Sequence, residues 1–89
     1  MKKDERIYTK ALKLYGEGQI DICVEEMSEL IKELCKFKRY RENLSSIAEE
    51  IADVKITIAQ MEMLFGCKEE VKEWVDRKLK RLEGRLWGQ

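Results

Sequence analysis

Apolar residues recur at three- and four-residue intervals through almost the whole chain, and no stretch alternates apolar with polar residues. That spacing lines side chains up along one face of an α-helix, whereas a half-buried strand needs period two. The pattern therefore predicts an all-α fold. No proline interrupts it, and the glycines fall where helices can end. No apolar run approaches the length of a membrane span, and the start, Met1-Lys2-Lys3-Asp4-Glu5, leads into an amphipathic stretch rather than a secretory signal.

The periodicity divides the chain into four helices. The first is expected from about Asp4 to Tyr15, with Ile7, Tyr8, Ala11, Leu12, Leu14 and Tyr15 as its apolar contacts and Gly16-Glu17-Gly18 as its stop. The second spans about Gln19 to Lys38, with a core stripe of Ile20, Cys23, Val24, Met27, Leu30, Ile31 and Leu34. Asn43 and Ser46 are the candidate N-caps of the third, and Ser46-x-x-Glu49 has the pattern of a capping box. That helix runs to Phe65 with a main stripe of Ile47, Ile51, Val54, Ile58, Met61 and Phe65. Its second apolar face, Ala52, Ile56, Ala59 and Met63, predicts burial on another subunit. The fourth runs from about Lys68 to Leu82 or beyond, carrying Val71, Trp74, Val75, Leu79, Leu82 and Leu86, and the tail from Gly84 to Gln89 is expected to fray unless Trp87 docks onto a neighbour.

At 89 residues this is one domain over 1–89 with a core of about 4–82. A chain that small, 44% apolar and 40% charged, has a narrow core, which oligomerisation often supplements. A homo-oligomer, dimer or tetramer, is the expectation. Eighteen basic residues balance eighteen acidic ones, so no nucleic-acid footprint stands out and no membrane partner is expected. Cys23, Cys35 and Cys67 form no Cys-x-x-Cys pair, so they read as reduced core thiols of a cytoplasmic protein and not as a zinc site.

One short phrase occurs twice. Glu25-Glu26-Met27-Ser28-Glu29-Leu30 is echoed by Glu49-Glu50-Ile51-Ala52-Asp53-Val54, twenty-four positions on. Each copy puts carboxylates at i and i+3 on one helix face, a like-charge pair that costs an isolated helix about 0.2–0.5 kcal/mol. Glu26 and Glu29 fall at one edge of the second helix's stripe, with Gln19 and Glu33 nearby. Glu50, Asp53 and Thr57 fall at an edge of the third. Glu25 points elsewhere, and Glu49 is assigned to the helix cap.

A loop of about five residues between these helices favours a central antiparallel hairpin. A turn centred near Tyr40 would set Glu29 level with Asp53 and bring both acidic edges into one groove. Such a cluster must be neutralised by protonation, by arginines or by metal ions. An oxygen-only ligand set suits Mg²⁺ or Mn²⁺. The chain has no histidine, which excludes a di-iron bundle, histidine-based nucleophile triads and the usual catalytic zinc sites.

The paired motif, Glu25-Glu26-x-x-Glu29 and Glu50-x-x-Asp53, resembles the signature of the MazG-like all-α NTP pyrophosphohydrolases. Gln19-Ile20-Asp21, Glu29-Leu30-Ile31-Lys32 and Ile47-Ala48-Glu49-Glu50-Ile51-Ala52-Asp53-Val54 agree with it. The likeness is to small, single-domain, phage- or prophage-type members and covers roughly Gln19 to Leu82.

It implies a four-helix MazG-like bundle and Mg²⁺-dependent hydrolysis of an NTP or dNTP, at the α–β phosphoanhydride, to the monophosphate and pyrophosphate. By position it implies Glu26, Glu29, Glu50 and Asp53 as catalytic metal ligands, with ions that bridge phosphate oxygens and orient a water. Lys32, Lys36, Lys78 and Arg81 are the candidates for phosphate contacts, and Gln19 for a contact to the nucleotide. The rival expectation is a non-catalytic helical oligomerisation or interaction module whose acidic groove holds a cation or partner.

Overall fold

Glycine geometry and polar ties set where each helix stops. The protein is described here by a computed structural model covering residues 2–88; Met1 and Gln89, the outermost residues of the expected domain, lie outside it. Among the described residues there are four helices and no strand: α1 Lys3–Tyr15, α2 Gly18–Tyr40, α3 Leu44–Leu64 and α4 Lys68–Trp87. Gly16, at φ 53°, ends α1, and its N–H donates to the Leu12 carbonyl at 2.7 Å.

The α2–α3 connection is tighter than the expected five residues, because α2 runs on to Tyr40 and α3 starts at Leu44. Arg41 closes α2 in the left-handed region (φ 61°, ψ 25°), and its N–H donates to the Phe37 carbonyl at 2.9 Å. That conformation costs a non-glycine residue about 1–2 kcal/mol. The Arg41 guanidinium, 5.2 Å from the centroid of the Phe37 ring, offsets part of it.

Asn43 takes the N-cap position of α3, but its side chain does not cap. It turns back to α2, where Nδ2 donates to the Glu33 carbonyl at 2.9 Å and to Glu33 Oε1 at 2.8 Å. Glu33 Oε2 also pairs with Lys36 Nζ at 3.7 Å. The helix therefore begins two residues before Ser46, and the Ser46–Glu49 capping box does not form. The tail expectation also changes. Instead of fraying from Gly84, α4 continues to Trp87 and is closed by Gly88 at φ 75°, whose N–H donates to the Gly84 carbonyl.

α2 and α3 pack side by side as an antiparallel pair, with α1 laid across both and α4 touching only α3. The line where α2 meets α3 is more polar than the stripe expected from periodicity. Gln19, Cys23 and Glu33 are the buried residues of α2, Thr57 and Gln60 those of α3, and Cys23 is the one buried hydrophobic residue among those described. Val24, Met27, Ile31 and Leu34 of the expected α2 stripe are exposed, as are Ile51 and Phe65 of the α3 stripe.

The reason is rotational. α3 sits against the Gln19–Cys23–Glu26 edge of α2, and the described residues leave most of the apolar side chains beside it uncovered. The second face of α3 is covered in part by α1: Ala59 and Met63 are half-buried, and Thr9 Oγ1 lies 3.5 Å from Met63 Sδ. Ala52 and Ile56 of that face stay exposed. The expectation of three core thiols holds only for Cys23; Cys35 is exposed and Cys67 half-buried at the start of α4.

The chain is open for its size. It presents 7446 Å² to solvent, where a folded monomer of 10.6 kDa presents about 5,500 Å². Its radius of gyration is 16.1 Å, against about 12 Å for a compact chain of this length.

At the α1 end of the seam, Gln19 Nε2 donates to Gln60 Oε1 at 2.6 Å, with both side chains about 95% buried. Removing one partner of a buried hydrogen bond costs about 1–3 kcal/mol, whereas replacing both by apolar groups of similar shape is nearly neutral. Gln60→Leu should therefore destabilise the protein in urea unfolding by that amount, and Gln19→Leu/Gln60→Leu should recover most of the loss. A double variant as unstable as the two single losses added would show that the amides do not act as a pair.

Candidate functional site

The hydrogen bond between Gln19 and Gln60 also fixes the register of the hairpin. Seven residues on from Gln19 stands Glu26, and seven residues back from Gln60 stands Asp53, so these two acids face each other across the seam. Sequence spacing had set Asp53 level with Glu29. The register set by the Gln19–Gln60 pair differs by three residues on α2, which puts Asp53 opposite Glu26 instead. Glu50, one turn before Asp53 on α3, joins them.

Glu26, Glu50 and Asp53 are half-buried, and each offers a carboxylate oxygen within 4.8 Å of the other two. Two oxygens bound to one Mg²⁺ lie about 3–4 Å apart, given metal–oxygen distances of about 2.0–2.1 Å. Small side-chain movements therefore turn this arrangement into a chelate. The donor set is all oxygen, which suits a hard divalent cation.

Electrostatics point the same way. Glu26 holds its proton above the ordinary value of 4.5, first because burial strips water from it, then because the charge of Asp53 and a hydrogen bond shared with Asp53 favour the protonated form. Glu50 is raised for the same leading reason, with the charges of Asp53, Glu26 and Glu29 adding to it. Among the described residues no basic side chain pairs with these three acids, whose mutual repulsion a bound cation would relieve.

The remaining expected site residues are distributed unevenly. Glu29, one turn beyond Glu26, is exposed; its charge reaches Glu26 and Glu50, but its oxygens are not among the clustered three. Glu25 and Glu49 are exposed on outer faces. Lys32 is exposed on α2, and Lys36 is drawn to Glu33 near the hairpin turn. Gln19 faces Gln60 inside the seam, with its Oε1 buried and without a hydrogen-bond partner. Because α4 does not pack on α2, Lys78 and Arg81 are not carried to the acidic groove by packing within the chain; Lys78 Nζ lies 5.9 Å over the Trp74 ring.

Gln60 is the site-proximal residue that sequence reasoning missed. Its position, three after Thr57 and seven after Asp53, places it on the same helical edge and was the available signal. Thr57, on that edge, turns its hydroxyl back to the Asp53 and Val54 carbonyls at 3.2 and 3.0 Å. In comparisons with protein-family models, with curated proteins and with solved structures, nothing matches this chain.

The raised carboxylates make stability depend on pH. Above pH 4.5 the folded state keeps protons on Glu26 and Glu50 that the unfolded state has released. The stability tied to those protons is complete below that pH and is lost as pH rises through the folded-state values. Metal-free protein in EDTA should therefore lose thermal stability as pH rises from 4.5 towards neutrality, and Glu26→Gln should reduce that loss and raise the neutral-pH melting temperature. A variant that melts lower than the parent at neutral pH without metal would refute repulsion as the source.

Proposed function

We propose that this chain is a Mg²⁺-dependent nucleoside triphosphate pyrophosphohydrolase of the MazG-like kind, taking an NTP or dNTP to the monophosphate and pyrophosphate. The observation that carries the reading is the convergence of Glu26 from α2 with Glu50 and Asp53 from α3, acids drawn from both halves of the paired motif. A solvated acidic face would leave the copies on separate surfaces. Here they meet across one seam.

In this reading Glu26, Glu50 and Asp53 hold the divalent ion, Mg²⁺ or Mn²⁺, and Glu29 stands one turn on as the fourth carboxylate. Such an ion, when bound, supplies positive charge to phosphate oxygens and lowers the pKa of a bound water. The half-burial of the three acids limits competing water, which strengthens each charge interaction. Buried on the same seam, the Gln19–Gln60 pair holds α2 to α3 so that the carboxylates are placed before substrate arrives. Lys32, exposed on α2 three residues after Glu29, is the cation that would meet phosphate oxygens in this reading.

The same reading has the chain working as a homo-oligomer, dimer or tetramer, in the cytoplasm. The surplus of roughly 2,000 Å² of surface over a compact monomer supports the assembly. No described helix is long and apolar enough to cross a membrane.

The test is a panel of NTPs and dNTPs with Mg²⁺, read as pyrophosphate released. Turnover of at least one nucleotide is expected, with loss in EDTA. Asp53→Asn and Glu26→Gln should each lower it by at least about 100-fold, beyond the loss typical of an outer-shell partner of a metal site, while helical circular dichroism is unchanged. Absence of pyrophosphate from every nucleotide would reject the enzyme reading.

A further inference from the structure

α4 is the least buried helix of the chain. It has no buried residue and touches only α3. Yet Val75, Leu79, Leu82 and Leu86, spaced four, three and four apart, form a continuous apolar seam, and they are 48%, 58%, 41% and 63% exposed. Spacing of this kind is that of helices that pack side by side with knobs in holes. An open groove runs along the seam, flanked by Asp76 and Glu83 and ending at Trp87.

The charges beside the seam are sorted by sign. Lys78 and Arg85 immediately precede Leu79 and Leu86 on one flank; Asp76 and Glu83 immediately follow Val75 and Leu82 on the other. In a parallel pair of such helices, the residue before one seam position meets the residue five further on in the partner, which sets Lys78 against Glu83 of the second copy. In an antiparallel pair like flanks meet. Lys78 would then face Arg85 and Asp76 would face Glu83, every contact repulsive. The pattern is thus complementary to itself in one orientation only.

We propose that the apolar seam of α4 is a homodimer interface in which two copies of α4 lie parallel about a twofold axis. The occupant is a second copy of this chain. The charge sorting selects a partner with the same α4 and the same direction, and the surplus of roughly 2,000 Å² of exposed surface exceeds the about 800 Å² per partner of a standard interface. Pairing along α4 is independent of the acidic groove on α2 and α3, so it stands or falls apart from the catalytic reading.

Sedimentation equilibrium of the whole chain at low ionic strength tests it. Leu79→Glu should remove an association step while circular dichroism stays helical, since α4 contributes no buried side chain to the single-chain fold. Lys78→Glu and Glu83→Lys should each weaken association by about tenfold, as attraction becomes repulsion at two symmetric pairs, and Lys78→Glu/Glu83→Lys should restore it. Single swaps that strengthen association would show antiparallel pairing and overturn the orientation. Swaps without effect, an unaffected Leu79→Glu, or a parent chain that stays monomeric at tens of micromolar would overturn the interface.

Discussion

Two polar ties, one buried and one half-buried, decide where everything on the central hairpin stands. The Gln19–Gln60 hydrogen bond clamps α2 to α3 near α1, and Asn43 binds Glu33 at the opposite end, beside the turn. A buried amide left without a partner is expensive, so each tie holds only if the helices keep one register. A slip of one residue turns a helix position by about 100° and shifts it by about 1.5 Å. Either tie would then break. Asp53 would also leave Glu26, and the three-acid cluster would come apart.

The polar seam has a consequence for the rest of the molecule. Positions that would ordinarily hold leucine or isoleucine against the neighbouring helix are held by Gln19, Glu26, Glu33, Asp53, Thr57 and Gln60. The apolar residues of α2 and α3 are displaced to flanks that α1 covers only in part. What looks like a generous apolar fraction therefore yields a single buried hydrophobic residue, Cys23, among those described. The surplus of exposed surface follows from where the polar groups sit.

Periodicity shows which face of a helix is apolar but carries no information about which neighbour covers it. That is why the four helices, their glycine stops, the antiparallel hairpin and the convergence of the two acidic edges were legible, while the buried line was not. The α2 stripe was centred between Cys23 and Ile31, and the packing chose its Gln19 edge. Ser46-x-x-Glu49 satisfied a local capping rule, but the bonds from Asn43 to Glu33 link residues ten apart in sequence, and that tertiary tie moved the helix start. The register held by the Gln19–Gln60 bond sets Asp53 against Glu26 rather than Glu29. Three of the four expected carboxylates come together; Glu29, on the solvent side, does not join them without help.

The exposed apolar residues and the acidic groove share the same two helices, and this ties their energetics together. Met27 adjoins Glu26 and Ile51 adjoins Glu50, and both apolar side chains are exposed in the single chain. Any partner surface that covered them would also withdraw water from the carboxylates beside them. Desolvation is already the leading cause of the raised proton affinity of Glu26 and Glu50, so further burial would sharpen the repulsion and favour whatever neutralises it. Burial of the α2–α3 flanks and cation binding would then reinforce each other, since a coupling between two binding events acts equally in both directions. An acidic cluster at the edge of an uncovered apolar face is therefore poised to bind its cation more tightly once that face is covered.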